Sequence, residues 1–168
     1  KMGVFYSCIY VDDGILIGHK DDTEFFRSQI LTTFVGRNEP LEKNGHIEKL
    51  TYVGLEITRD RNKRKIWLTQ NDLVKKLEER FKSYLTTDNP EYKDTGKRTP
   101  ITRNLSDGPE IKFPIRKAVG SLMYLAQGSR PDLCYAIKEM SRYLEKPTKE
   151  AAKTAIRCIK YVIDTRNY

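Results

Sequence analysis

Residues Val4–Val11 alternate imperfectly between apolar and polar side chains and are rich in Val, Ile, Tyr and Phe, which predicts a strand. Ile15–Ile17 predicts a second, short one. Asp12-Asp13-Gly14 lies between them and contains the Asp-Gly pair favoured in tight hairpins. Asp21, Asp22 and Thr23 offer N-caps for a helix running to about Phe34, with Phe26, Ile30 and Phe34 on one face and Leu31 beside them. Gly36–Lys49 is polar and holds Pro40 and Gly45, so it predicts a loop. Leu50–Ile57 and Lys65–Leu68 then predict two strands around the charged turn Arg59-Asp60-Arg61-Asn62-Lys63-Arg64. Thr69-Gln70-Asn71-Asp72 has the form of a capping box, with Asp in the reciprocal place. The helix behind it sets Leu73, Leu77, Phe81 and Tyr84 on one stripe.

The next stretch, Thr86–Pro114, has four prolines and little periodicity, which predicts a long connection and a subdomain boundary. Three helices follow. Arg116–Gln127 carries Val119, Leu122, Met123 and Ala126. The second has Pro131 in its first turn and carries Leu133, Ala136, Ile137, Met140 and Leu144. The third runs from about Thr148 and carries Ala152, Ala155, Ile156, Ile159 and Ile163. The pattern is that of an α+β chain.

Composition narrows the class. The 168 residues can bury a core, and 38% hydrophobic against 32% charged residues reads as soluble and globular. No apolar run is long enough to span a bilayer, so no membrane partner is expected. Lys1-Met2-Gly3 precedes a strand rather than the apolar core of a signal peptide, which suggests a cut inside a longer protein. Cys8, Cys134 and Cys158 are far apart, and neither His19 nor His46 lies near them. They read as buried reduced thiols of an intracellular protein rather than zinc ligands or disulfides. A net charge of +8 favours polyanionic partners, although many soluble domains are basic for no specific reason.

Adjacent carboxylates at a hairpin tip repel each other unless something neutralises them. A divalent cation does so. Mg²⁺ takes a few carboxylate oxygens plus substrate phosphate, and two such ions ~4 Å apart serve nucleotidyl transfer. Taken alone, Asp12-Asp13-Gly14 reads first as a solvated turn. Its surroundings change that. Tyr10-Val11-Asp12-Asp13 between apolar strands resembles the Tyr-x-Asp-Asp box of reverse transcriptases, and Phe5–Ile17 as a whole resembles the palm hairpin of copia-type retrotransposons. Leu50–Ile57 resembles that class's Leu-Gly-hydrophobic-Glu-Ile strand. Ile66–Gln70 with Leu73–Phe81 resembles the strand and helix that come next. Val119–Ala126, followed by Ser129-Arg130-Pro131-Asp132-Leu133, resembles the Gly-Ser-Leu-x-Tyr-Leu … Arg-Pro-Asp signature. Four blocks in order cover nearly the whole chain apart from the loops.

The resemblance implies a C-terminal fragment of a right-hand polymerase palm, made of β-hairpins plus a helix, followed by a helical thumb or connection region. Residues 1–49 would end the palm, and 50–85 would form a primer-grip-like hairpin and the first thumb helix. Residues 86–114 would be a linker and 115–168 the helical region. Asp12 and Asp13 match the catalytic, metal-holding carboxylates of a two-Mg²⁺ site, and Tyr10 and Val11 match the part of the box beneath the primer end. Tyr52, Val53 and Gly54 match the turn that grips the primer. Gly54 reads there either as a close approach of a sugar–phosphate chain or as a bulge or packing site. Leu73–Tyr84 would lie along the duplex.

Arg59, Arg61, Lys63, Arg64 and Lys65 at the second hairpin tip offer primer or template phosphate contacts. So do Lys149, Lys153, Arg157 and Lys160 at helical spacing, although each group alone reads first as a solvated face. Arg130 and Asp132 read as a local pair or helix cap. The implied partners are an RNA/DNA template–primer duplex, a deoxynucleotide held with a missing upstream half, and the rest of a Pol polyprotein. The implied location is a cytoplasmic virus-like particle or the nucleus.

Some features depart from the pattern. The third carboxylate and the nucleotide-holding fingers precede the Tyr-x-Asp-Asp box and are expected to be missing, so the fragment alone is expected to be inactive. Ribonuclease H, integrase and protease modules have no counterpart. Gly14 replaces a larger apolar residue, and Lys149-Glu150 stand where a His is expected. Three readings stay open: an enzyme fragment, a non-catalytic nucleic-acid-binding relic or reused piece, and a functionless remnant.

Overall fold

The computed structural model describes residues 4–39, 41–86 and 112–166. Among them lie two small antiparallel sheets and five α-helices, a mixed α+β arrangement. The chain divides into two compact units, residues 1–68 and 69–168. The connection expected over Thr86–Pro114 lies largely outside the described residues. No helix among the described residues is long and apolar enough to cross a membrane.

In the first unit, β1 (Tyr6–Tyr10) and β2 (Asp13–Ile17) form an antiparallel hairpin. Helix α1 (Lys20–Thr33) follows and packs on β2, and the Phe5 and Phe26 rings meet at 4.9 Å between centroids. The helix begins before its expected caps, after His19, with no side-chain cap. None of its residues is buried, so the stripe of Phe26, Ile30 and Leu31 gains little cover. Phe34 lies just past the helix end. The expected loop over Gly36–Lys49 is corrected: β3 (Glu42–Asn44) and the start of β4 (Ile47–Tyr52) lie within it. These polar residues form strands because β4 pairs on both sides, with β3 and with β5 (Leu55–Asp60). The expected single strand Leu50–Ile57 is folded back at Val53-Gly54. Strand β6 (Lys65–Thr69) completes the order β3-β4-β5-β6.

The second unit holds every fully buried apolar side chain among the described residues. Helix α2 (Asn71–Leu85) buries Val74, Leu77 and Phe81. It starts after Gln70, whose side chain gives no cap. Phe81, Tyr84 and Phe113 form an aromatic cluster, with centroids 6.0 Å apart for Phe81–Phe113 and 5.1 Å for Tyr84–Phe113. Helix α3 (Ile115–Gly128) buries Ala118, Val119, Leu122, Leu125 and Ala126. Met123, expected inside, is exposed. Pro131–Leu133 forms a 3₁₀ turn before α4 (Cys134–Ser141), which stops short of Leu144. Helix α5 (Lys149–Asp164) is capped by Thr148, whose hydroxyl accepts from the Ala151 N–H at 3.3 Å. Ala152, Ala155, Ile156 and Ile159 are fully buried, whereas Ile163 is only partly covered. Of the thiols expected inside, only Cys158 is buried, while Cys8 and Cys134 are exposed. Burial pushes Cys158 up to about 12.

Candidate catalytic and nucleic-acid-binding residues

The β1–β2 register pairs Tyr10 with Asp13, so the two-residue turn is Val11-Asp12 and not the Asp-Gly pair. Asp13 and Gly14 belong to β2. Val11 has φ 53°, whereas Asp12 is not left-handed, which is the pattern of a type II′ turn. A β-branched residue there is strained, at a cost of about 1–3 kcal/mol. Val11 is also 80% exposed, and Tyr10, Asp12 and Asp13 are exposed with it. The strained tip therefore offers both carboxylates to solvent. A Cβ at Gly14 would meet nothing within 4 Å, so the fold itself would accept a larger residue there.

The second hairpin reaches this tip through Tyr52. Its hydroxyl donates to the Cys8 carbonyl oxygen at 3.2 Å and lies 3.5 Å from Cys8 Sγ. The bond to Cys8, reinforced by partial burial and the negative charge of Asp13, pushes the phenol up to about 12. Beyond Tyr52 the chain turns through Val53 (φ 47°) and Gly54 (φ 72°), the two left-handed residues of a type I′ turn. Gly54 is thus a turn glycine. Tyr52, Val53 and Gly54 are brought beside the carboxylate hairpin.

Arg61, Lys63 and Arg64 are not. They occupy the β5–β6 turn, at the other end of β5 and roughly 16 Å away along the strand. Two carboxylates that sequence reading passed over hold much of this cation cluster. Arg61 Nε pairs with Glu48 at 2.9 Å, and Lys43 and Arg59 approach the same group at 3.7 and 4.0 Å. Asp60 receives the Lys63 backbone N–H at 2.9 Å and lies 3.8 Å from both Lys63 Nζ and His46 Nε2. The Glu48 side chain is 7% exposed and that of Asp60 2%. The Arg61 bond holds Glu48 below the usual carboxylate range, and the Lys63 N–H does the same for Asp60. The register sets Glu48 opposite Arg59, but that signal appears only once the strands are paired. Arg64, itself left-handed at φ 52°, makes no ion pair among the described residues.

In the second unit, Arg130 grips Asp132 with two bonds, Nε–Oδ1 at 3.1 Å and Nη2–Oδ2 at 2.8 Å, and lies 4.9 Å over the Tyr161 ring of α5. Burial pushes the Asp132 carboxyl up, but the Arg130 and Tyr161 bonds outweigh it and hold it low. The pair is structural, joining the 3₁₀ turn to α5. An open groove of about 550 Å³ runs beside α3, lined among others by Arg116, Gly120, Met123 and Ser141. A Cβ at Gly120 would meet nothing within 4 Å, so the fold makes no demand for glycine there.

The oxygen donors Asp12 and Asp13 suit a hard cation such as Mg²⁺. Two carboxylates are only part of a ligand set, and among the described residues no group of three or more His, Cys, Asp or Glu is placed to hold a metal ion.

No family model matches the chain, and no solved structure matches it significantly. Curated proteins do. Over 162 residues, 94% of this chain, it is 31% identical to the Retrovirus-related Pol polyprotein from transposon TNT 1-94 of Nicotiana tabacum, covering 12% of that protein. Over 168 residues it is 26% identical to the putative transposon Ty5-1 protein of Saccharomyces cerevisiae, covering 51% of it. Over a further 168-residue match it is 29% identical to the Retrovirus-related Pol polyprotein from transposon RE1 of Arabidopsis thaliana, covering 10%. The chain thus spans about half of one relative's length and about a tenth of the others'. Over nearly its whole length, it is a homologue of the Pol polyproteins of copia-type retrotransposons.

Proposed function

We propose that this chain is part of a retrotransposon RNA-directed DNA polymerase, the end of its palm and its thumb, acting within an element's particle. The observation that carries this reading is the strained Val11-Asp12 tip, which holds Asp12 and Asp13 in solvent with the Tyr52 turn pinned beside it. Strain kept at an exposed turn, where a glycine would relieve it, fits a site shaped for a substrate.

In this reading Asp12 and Asp13 hold one side of a Mg²⁺ site whose remaining donors come from outside the described residues. Magnesium, when bound, supplies the positive charge that offsets charge building on the reacting phosphate. Tyr10 and Val11 support the primer end, and the Val53-Gly54 turn lets a sugar–phosphate chain pass close to the backbone. Tyr52, kept protonated by Cys8 and Asp13, sets the distance between the two hairpins. The side-chain-free surface at Gly120 gives α3 a similarly close approach to the duplex. Exposed Tyr6, Ile9, Ile17 and Val35 in the first unit are consistent with cover from the rest of a longer polymerase.

The test is primer extension with Mg²⁺ by the polymerase region of a polyprotein that contains this chain. Asp12→Asn and Asp13→Asn should each cost ~100-fold or more in rate. Full activity in either variant would remove the metal role. Loss of extension in the unaltered polymerase, with duplex binding kept, would favour a non-catalytic nucleic-acid-binding piece.

A further inference from the structure

The stripe of cations on α5 lies far in sequence from the carboxylate hairpin and has no part in the chemistry proposed above. Lys149, Lys153, Arg157 and Lys160 follow one another at spacings of four, four and three. Such spacing keeps them on one helix face, about 16 Å long from end to end. Glu150 pairs with Lys153 at 3.4 Å. The opposite face of α5, including Ala152, Ala155, Ile156, Ile159 and Val162, is fully buried. The rotation of the helix is fixed at its far end by Tyr161, which stacks under Arg130 one residue beyond Lys160. Lys149 is exposed and Lys153, Arg157 and Lys160 are half-buried along this face, whose rotation the core and the Arg130–Asp132 clasp hold in place.

We infer that this face of α5 is a second nucleic-acid contact surface, one that follows the phosphates of a duplex without reading its bases. Duplex nucleic acid presents a phosphate every few ångströms along each strand, so a cationic face of this length meets several at once. A membrane is the poorer occupant. A helix that lies on lipid buries its apolar side in the acyl boundary, and here that side is committed to the protein core. The inference rests on the reading that this chain works on nucleic acid, and is independent of the carboxylate pair.

Fluorescence anisotropy of an RNA–DNA duplex, titrated with the full chain across a salt series, tests it. Lys149→Gln, Lys153→Gln and Lys160→Gln are combined in one variant; Gln keeps helix propensity, and circular dichroism checks the fold. Binding should weaken at least ~10-fold at low salt, equally for unrelated sequences, and the slope of log K against log salt should fall by about three. The matching triple Arg variant should restore both. Unchanged binding in the Gln variant, alongside a loss in Arg61→Gln/Arg64→Gln, would overturn the α5 surface and leave the nucleic-acid reading standing. No salt-dependent duplex binding by the unaltered chain would end both. Loss of binding to anionic vesicles, with duplex binding intact, would reassign the stripe to a lipid surface.

Discussion

At the residue scale, the informative positions are those where the backbone or a charge is held against its ordinary preference. Val11 occupies a left-handed conformation that a β-branched side chain resists. Val11→Gly should steady the hairpin by about 1 kcal/mol, seen as ~5-fold slower hydrogen exchange at the β1–β2 amides. Faster exchange would show that Val11 is not strained in solution. Glu48 and Asp60 titrate below their ordinary 4.5 and 3.8, so their contribution to stability is full above those values and is lost as pH falls through the lower folded ones. Protection of the β4–β5 amides should be level from neutral pH down to about pH 5, and should fall below about pH 4. Tyr52 has the opposite sign. Its raised pKa contributes stability below pH 10 that disappears as pH approaches 12. An ultraviolet titration of Tyr52→Phe should lack the latest-titrating tyrosine and no other. The sequence showed Asp12 and Asp13 as a candidate pair, but it did not show that Val11 takes the bend. The position of a hairpin turn follows from strand register, and register is set across the pair rather than along it.

At the element scale, two glycines of α3 make opposite demands. Gly120 faces open space, so Gly120→Ala should raise the stability of the helical unit by about 0.5–1 kcal/mol through helix propensity alone. A Cβ on Gly128 would run into the Gln70 amide, which is buried and receives the Ser129 hydroxyl at 2.9 Å. Gly128→Ala should therefore destabilise by about 1–3 kcal/mol. Denaturant unfolding of the two variants, followed by circular dichroism, checks both signs. The faces of α2 and α5 were legible in advance because a stripe at 3.6-residue spacing needs only one apolar neighbour to become core. The same reasoning gave α1 a face that stays uncovered, since a stripe states what could be buried and not whether anything lies opposite. Strand β3 and the start of β4 were hidden for the reverse reason. Their polar side chains carry no alternation signal, and backbone pairing with β5 and a buried Glu48 hold them in place.

At the scale of the whole molecule, the two units differ in what holds them together. The helical unit has a closed apolar core, whereas the sheet-rich unit has buried carboxylates, backbone pairing and large exposed apolar side chains. Apolar burial supplies most folding free energy, so the units should not unfold as one. The single tryptophan, Trp67, belongs to the sheet-rich unit and is 42% exposed. Its fluorescence should change at lower denaturant than the helical circular dichroism signal; coincident transitions would show one cooperative body. The sequence alone determined the helical periodicities, the excess positive charge, the adjacent carboxylates and the resemblance to copia-type retrotransposons, which the Pol polyprotein homologues bear out, because each is written in local order or residue type. Tertiary structure decided where the turns fall, which cations Glu48 and Asp60 neutralise, that Tyr52 reaches Cys8, and which apolar stripes find cover. Each of these depends on residues that the fold brings together from distant parts of the chain, and no local pattern encodes that meeting.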